Sequence, residues 1–232
     1  MILNQLDMGK NILLCFLIGS FITSQAQTNT NLLEYEYSGN FTEIKRTVNY
    51  SEIEGSPYLE PNLFHGVVYF YGNDTSHYYM RYNIYLEEME YLDNEVIKVI
   101  TNPNHLVKIE LNGKTFRYKV GFNSKNKLKG EYFIELKTGT INLYKKPRVE
   151  FEEKEPAKNS YVPATNDRFN RLRDTFYYEK EGKLYLIKES KSFLKEIFTE
   201  NKADVETYLK ANKIKPGSEK DLIELFNYAN SL

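Results

Sequence analysis

HLVKIELNGKTFRYKV, residues 105–120, alternates apolar and polar side chains on both sides of Asn112 and Gly113. Asn-Gly is the preferred pair for a two-residue type I′ turn, because both positions need positive φ. Such a turn sets Ile109 opposite Phe116 and Val107 opposite Tyr118, and one face of the hairpin becomes apolar. Two more stretches repeat the pattern. In EYFIELKTGTINLYKK, residues 131–146, a turn at Thr138 and Gly139 sets Leu136 opposite Ile141 and Ile134 opposite Leu143. In DTFYYEKEGKLYLIKE, residues 174–189, a turn at Glu181 and Gly182 sets Tyr178 opposite Tyr185 and Phe176 opposite Ile187. GVVYFYG, residues 66–72, is a further strand by its β-branched and aromatic content. GSPYLEPNLF, residues 55–64, carries Pro57 and Pro61 and reads as a lead-in loop. Residues 155–174 follow neither period and read as a polar crossing segment.

From about Ser190 the period changes from 2 to 3.6. Phe193, Leu194, Ile197 and Phe198 share one helical face, Val205, Tyr208 and Leu209 a second, and Leu222, Ile223, Leu225, Phe226 and Ala229 a third. Pro216 and Gly217 punctuate the loop before the last helix, and Ser218 with Asp221 three residues on makes a start like a capping box. The fold class expected is α+β. An antiparallel β-meander of roughly eight to ten strands, as an open sheet or a partly closed barrel, precedes two or three short helices.

The first 26 residues read as an export signal. Lys10 is basic, residues 12–22 form an apolar run, and Ser24, Gln25 and Ala26 place small residues where signal peptidase inspects, so cleavage is expected between Ala26 and Gln27. The run is too short to span a bilayer, and no second one follows. Residues 27–189 then form the β-rich domain and residues 190–232 the helical segment. Cys15 is the only cysteine, and Leu14 before it does not suit lipid attachment. The mature chain therefore has no thiol for a disulfide, a thiolate metal site or a nucleophile. The net charge of −1 lacks the electrostatic footprint of a nucleic-acid binder. Lys125, Lys127 and Lys129, and then Lys145, Lys146 and Arg148, read as solvated faces.

RYNIYLEEMEY, residues 81–91, has apolar residues at even positions through Leu86 and at odd positions from Met89. A one-residue change of phase implies a β-bulge or tight bend near residues 86–88. A three-residue loop of Asp93, Asn94 and Glu95 would set Glu90 opposite Lys98 as a cross-strand ion pair. Glu88 and Glu90 also share a strand face, at about 7 Å by strand rise, which is compatible with the carboxylate pair of a glycoside hydrolase. His65, His77 and His105 occur singly, without the spacing that places two ligands on one element, so no metal is expected. No nucleophile elbow and no phosphate loop is present, and no cofactor is expected. Tyr79, Arg81, Asn83 and Tyr85 make a polar and aromatic strip that could form a recognition surface.

RYNIYLEEMEY, the hairpin LNGKTFRY, the segment YLKANK at residues 208–213 and the ending NYANSL at residues 227–232 resemble an uncharacterised family of secreted Bacteroidota proteins. The resemblance covers most of the mature chain. It implies a bacterial envelope setting and a β-meander with a helical tail, and it brings no activity or catalytic residue with it. The functional expectation is an exported, periplasmic or secreted, non-enzymatic binding or scaffolding protein whose partner is an unknown envelope protein or small ligand. The alternatives are a lipocalin-like carrier, if the hairpins close into a barrel, and a hydrolase using Glu88 and Glu90.

Overall fold

The computed structural model describes residues 34–38, 41–45, 50–101, 105–122, 128–154 and 166–232. The chain divides into units of residues 1–30 and 31–232, and all described residues belong to the second. The export signal with its Ala26–Gln27 junction, and Lys125 and Lys127, lie outside the described residues.

Alternation produces the hairpins where the turn chemistry is strong. β7 (Leu106–Leu111) and β8 (Lys114–Phe122) pair with Ile109 opposite Phe116, through Asn112 at φ 47° and Gly113 at φ 70°. β13 (Thr175–Lys180) and β14 (Lys183–Leu186) pair with Tyr178 opposite Tyr185, through Glu181 at φ 53° and Gly182 at φ 71°. β9 (Leu128–Lys137) and β10 (Asn142–Lys146) also pair, but out of the expected register: Leu143 faces Lys137 and, past a bulge, Lys145 faces Ile134. Gly139 has no positive φ and does not make a tight turn. Its missing Cβ instead admits the Asn230 side chain, whose atoms lie 2.4–2.8 Å from where that carbon would be.

The upstream strands are β1 (Glu34–Ser38), β2 (Phe41–Lys45), β3 (Phe64–Phe70), β4 (Thr75–Asn83), β5 (Glu88–Asp93) and β6 (Val96–Val99). Among the described residues twelve strands form one sheet in the order β1-β2-β6-β5-β4-β3-β7-β8-β9-β10-β13-β14. The run β3 to β6 is therefore inserted in reverse, and the sheet is not a simple meander. β11 (Val149–Glu152) and β12 (Arg168–Arg171) pair separately, so part of the expected crossing segment is a strand, anchored by buried Phe169. The barrel is not closed: β1 and β14 each pair on one side only and leave the sheet open at two edges.

The sheet nonetheless curls. β4 and β8 are three ladder steps apart, about 14 Å in a flat sheet, yet Tyr82 of β4 meets Phe116 of β8 at 5.4 Å and Tyr132 of β9 at 5.9 Å between ring centroids. Gly66 of β3 lies under the fold of that curl, where a Cβ would stand 2.9 Å from Met80 Sδ and 3.2 Å from Leu111 Cδ1. Val68, Met80, Tyr82, Met89, Ile109, Phe116 and Ile134 fill the concave side.

α1 (Lys191–Ile197), α2 (Lys202–Ala211) and α3 (Glu219–Ala229) bury the expected stripes, Leu194 and Ile197, Val205 and Leu209, and Leu222, Leu225, Phe226 and Ala229. They pack with Ile141, Leu143, Phe176 and Ile187 into a second cluster, and Leu136 touches both clusters. Ser218 caps α3 by accepting from the Asp221 amide at 3.4 Å, while the Asp221 carboxylate accepts from the Lys215 amide rather than closing the box. Asn230, just past α3, clasps the backbone of the β9–β10 connection just before β10: its Oδ1 accepts from Ile141 N and its Nδ2 donates to Ile141 O, both at 3.0 Å.

Candidate functional site

The change of phase in RYNIYLEEMEY is a four-residue turn, not a bulge. β4 and β5 pair with Asn83 opposite Glu88, Tyr82 opposite Met89 and Arg81 opposite Glu90. An even loop length moves the apolar positions from even to odd while keeping them on one face. Residues 84–87 turn with Glu87 at φ 59°; the Leu86 amide donates to Asn83 Oδ1, and the amides of Ile84 and Tyr85 both donate to Pro57 O.

Glu90 does not face Lys98. The next turn is Asn94 and Glu95, both at positive φ, so Glu90 stands opposite Val99 and Tyr91 opposite Lys98. Lys98 binds Asp93 at 2.9 Å. Glu90 and Asn83 are both 0 % exposed. Arg81 Nε donates to Glu90 Oε2 at 2.9 Å and Asn83 Nδ2 to Oε1 at 3.0 Å. The other guanidinium nitrogens reach Pro61 O at 3.1 Å and Tyr58 Oη at 2.8 Å, with Cζ 3.8 Å from the centre of the Tyr58 ring. This clasp ties the lead-in loop to the β4–β5 hairpin.

A second set of charges sits beside it. Glu87 and Glu131 alternate with Lys129 and Lys146: Lys146 Nζ lies 2.7 Å from each carboxylate, and Lys129 binds Glu131 at 3.2 Å and also Glu87. Burial alone would raise the Glu87 carboxyl, but the two ammonium groups outweigh it and hold it below the ordinary carboxylate value. Lys145 reaches Glu219 at 2.7 Å. These lysines are thus ion-paired rather than simply solvated, a correction that no local charge pattern could supply.

Over this floor opens a crevice of about 370 Å³. Ile84 and Tyr85 come from the turn, Arg148 and Val149 from the start of β11, Thr175 and Tyr177 from β13, and Leu186 from β14. Tyr85 is held edge-on by Phe169 at 5.3 Å and tilted against Phe151 at 6.1 Å, both from the small sheet. Tyr177 leans on Phe133 at 5.1 Å. Leu186 is 49 % exposed. Among the described residues no acid pairs with the Arg148 guanidinium, and Thr175 Oγ1 is buried without a hydrogen-bond partner. The hydroxyls of Tyr82 and Tyr132 are likewise buried and unpartnered, and burial pushes both well above the ordinary phenol value.

The four strip residues are separated by these arrangements. Arg81 and Asn83 belong to the clasp, Tyr85 walls the crevice, and Tyr79 stands 58 % exposed on the outer sheet face beside His65. Of the two glutamates, Glu88 is half-buried at the first position of β5 and Glu90 is enclosed. Tyr177 and Leu186 are not marked as site residues by the sequence, and Lys146 is read there only as part of a solvated face. The only available signal was the β13–β14 register, which places Tyr177 opposite Leu186. No family model matches the chain, and neither a curated protein nor a solved structure shows significant similarity to it.

Proposed function

We propose that the chain is an exported, non-enzymatic binding or scaffolding protein of the bacterial envelope, and that its contact surface is the crevice walled by Tyr85, Tyr177 and Leu186. The observation that carries this reading is the make-up of that crevice. Two tyrosines and aliphatic side chains stand on a strand framework over mutually neutralised ion pairs, with Arg148 left at the rim. Its volume falls within the range of small-ligand sites, about 300–1,000 Å³. The chemistry it suits is an apolar group, from a small molecule or a partner's side chain, next to an anionic one.

Two features weigh against the alternatives. Glu90 has both oxygens engaged and no exposed surface, which disfavours it as half of a hydrolytic pair. The concave side of the open sheet is filled, and a gap of about 10 Å³ beside Leu59, Phe64 and Phe116 has room for no more than about one water, which disfavours a carrier.

The test is site-specific photocross-linking in the producing bacterium, with benzoylphenylalanine at Tyr85, at Leu186 and at the distant helical residue Lys220. A shared discrete adduct from the first two positions and none from the third is the expected result. Absence of adducts at Tyr85 and Leu186, or a hydrolytic activity of the purified protein that disappears in Glu88→Gln, would overturn the reading.

A further inference from the structure

His65 and His77 are twelve residues apart and share no local motif, but strand pairing brings them together. β3 and β4 run antiparallel with His65 opposite Tyr79 and Val67 opposite His77, so the two imidazoles are diagonal neighbours on the outer face of the sheet. Their ring centroids are 5.4 Å apart with planes inclined by 30°. Both residues are exposed, and among the described residues nothing hydrogen-bonds to either ring. The Tyr79 ring meets His65 edge-on at 6.1 Å.

We propose that His65 and His77 form a two-imidazole site for a tetrahedral divalent cation of the zinc type. A Zn–N bond is about 2.0–2.1 Å and the ring centre lies about 1.1 Å behind the nitrogen, so two imidazoles on one tetrahedral ion have centroids about 5.2 Å apart. The observed 5.4 Å is close to this spacing, and rotation of the two exposed rings about their side-chain torsions would turn a nitrogen of each toward a shared ion without movement of either strand. A square-planar ion binding both rings in adjacent positions would need about 4.5 Å by the same construction, further from the observed spacing than the tetrahedral value. No third histidine, cysteine, aspartate or glutamate completes the set among the described residues. Two positions on the ion therefore remain open to water or to a donor from another molecule. The site is independent of the crevice, which lies at the Tyr85 turn and shares no residue with it.

Calorimetric titration of the purified protein, carrying no affinity histidines, with zinc chloride tests the proposal. The expected result is one equivalent bound per chain, with His65→Ala and His77→Ala each weakening binding at least about tenfold, the loss that even an outer partner of a metal ligand causes. His105→Ala keeps wild-type affinity, and His77→Gln repeats the loss with a polar replacement. Cobalt(II) in place of zinc gives the intense visible bands of a tetrahedral ion. Failure of the wild type to bind zinc, retention of affinity in both histidine variants, or the weak bands of octahedral cobalt would overturn it.

Discussion

Glu90 is enclosed between Arg81 and Asn83, which both donate to its carboxyl oxygens. Removing one partner of a buried ion pair leaves the other uncompensated. Arg81→Met is therefore expected to cost about 3–5 kcal/mol, and the double variant Arg81→Met with Glu90→Leu to recover much of that, as measured by urea denaturation. Glu87 supplies the pH dependence. Its carboxyl titrates below the ordinary value when folded, so its contribution is complete above the ordinary carboxylate range and is lost as pH falls through the folded value. Glu179 behaves in the same sense: burial would raise its carboxyl, but donors from Lys119, Asn142 and Tyr144 prevail. In Lys146→Met one of the two ammonium groups on Glu87 is gone and burial weighs more heavily. Urea midpoints followed from about pH 7 to about pH 3 should then begin to fall at a higher pH than in the wild type.

Among the elements, the hairpins legible in sequence were those whose glycine follows a residue at positive φ. Asn112 with Gly113 and Glu181 with Gly182 both use the left-handed region, and their registers could be counted directly. Gly139 looked the same in sequence but serves a different need, room for a side chain ninety-one residues away. The turn of Asn94 and Glu95 was illegible for the opposite reason, since a glutamate at φ 67° is an unusual occupant of that region. The helical stripes were legible because amphipathic spacing is local; the clasp of Asn230 on Ile141 was not. Asn230→Ala leaves the amide and carbonyl of Ile141 without their partners, at an expected cost of about 1–3 kcal/mol. The same variant should show faster hydrogen exchange at the Ile141 amide, whereas a purely local effect at the chain end would leave that amide protected.

At the scale of the molecule, the α+β class follows from the two periods, but the strand order does not. Nothing in the alternation of β3 to β6 says that this run enters the sheet reversed, because β2 with β6 and β3 with β7 are pairings of distant segments. The crevice has the same character: its walls come from segments around positions 85, 148, 177 and 186, and of these only Tyr85 is a candidate contact residue in the sequence. The clasp also imposes an order of events. Arg81 and Glu90 are nine residues apart within one hairpin, whereas Tyr58 reaches Arg81 across twenty-three. Hairpins close in about 1–10 μs, and the longer loop has nothing to dock on until the hairpin exists. Tyr58→Phe removes only the later contact, so its refolding rate should match the wild type while its unfolding rate rises, as read from the two limbs of a denaturant chevron. The lead-in loop is then the latch of the hairpin, the last part to close and the first to open.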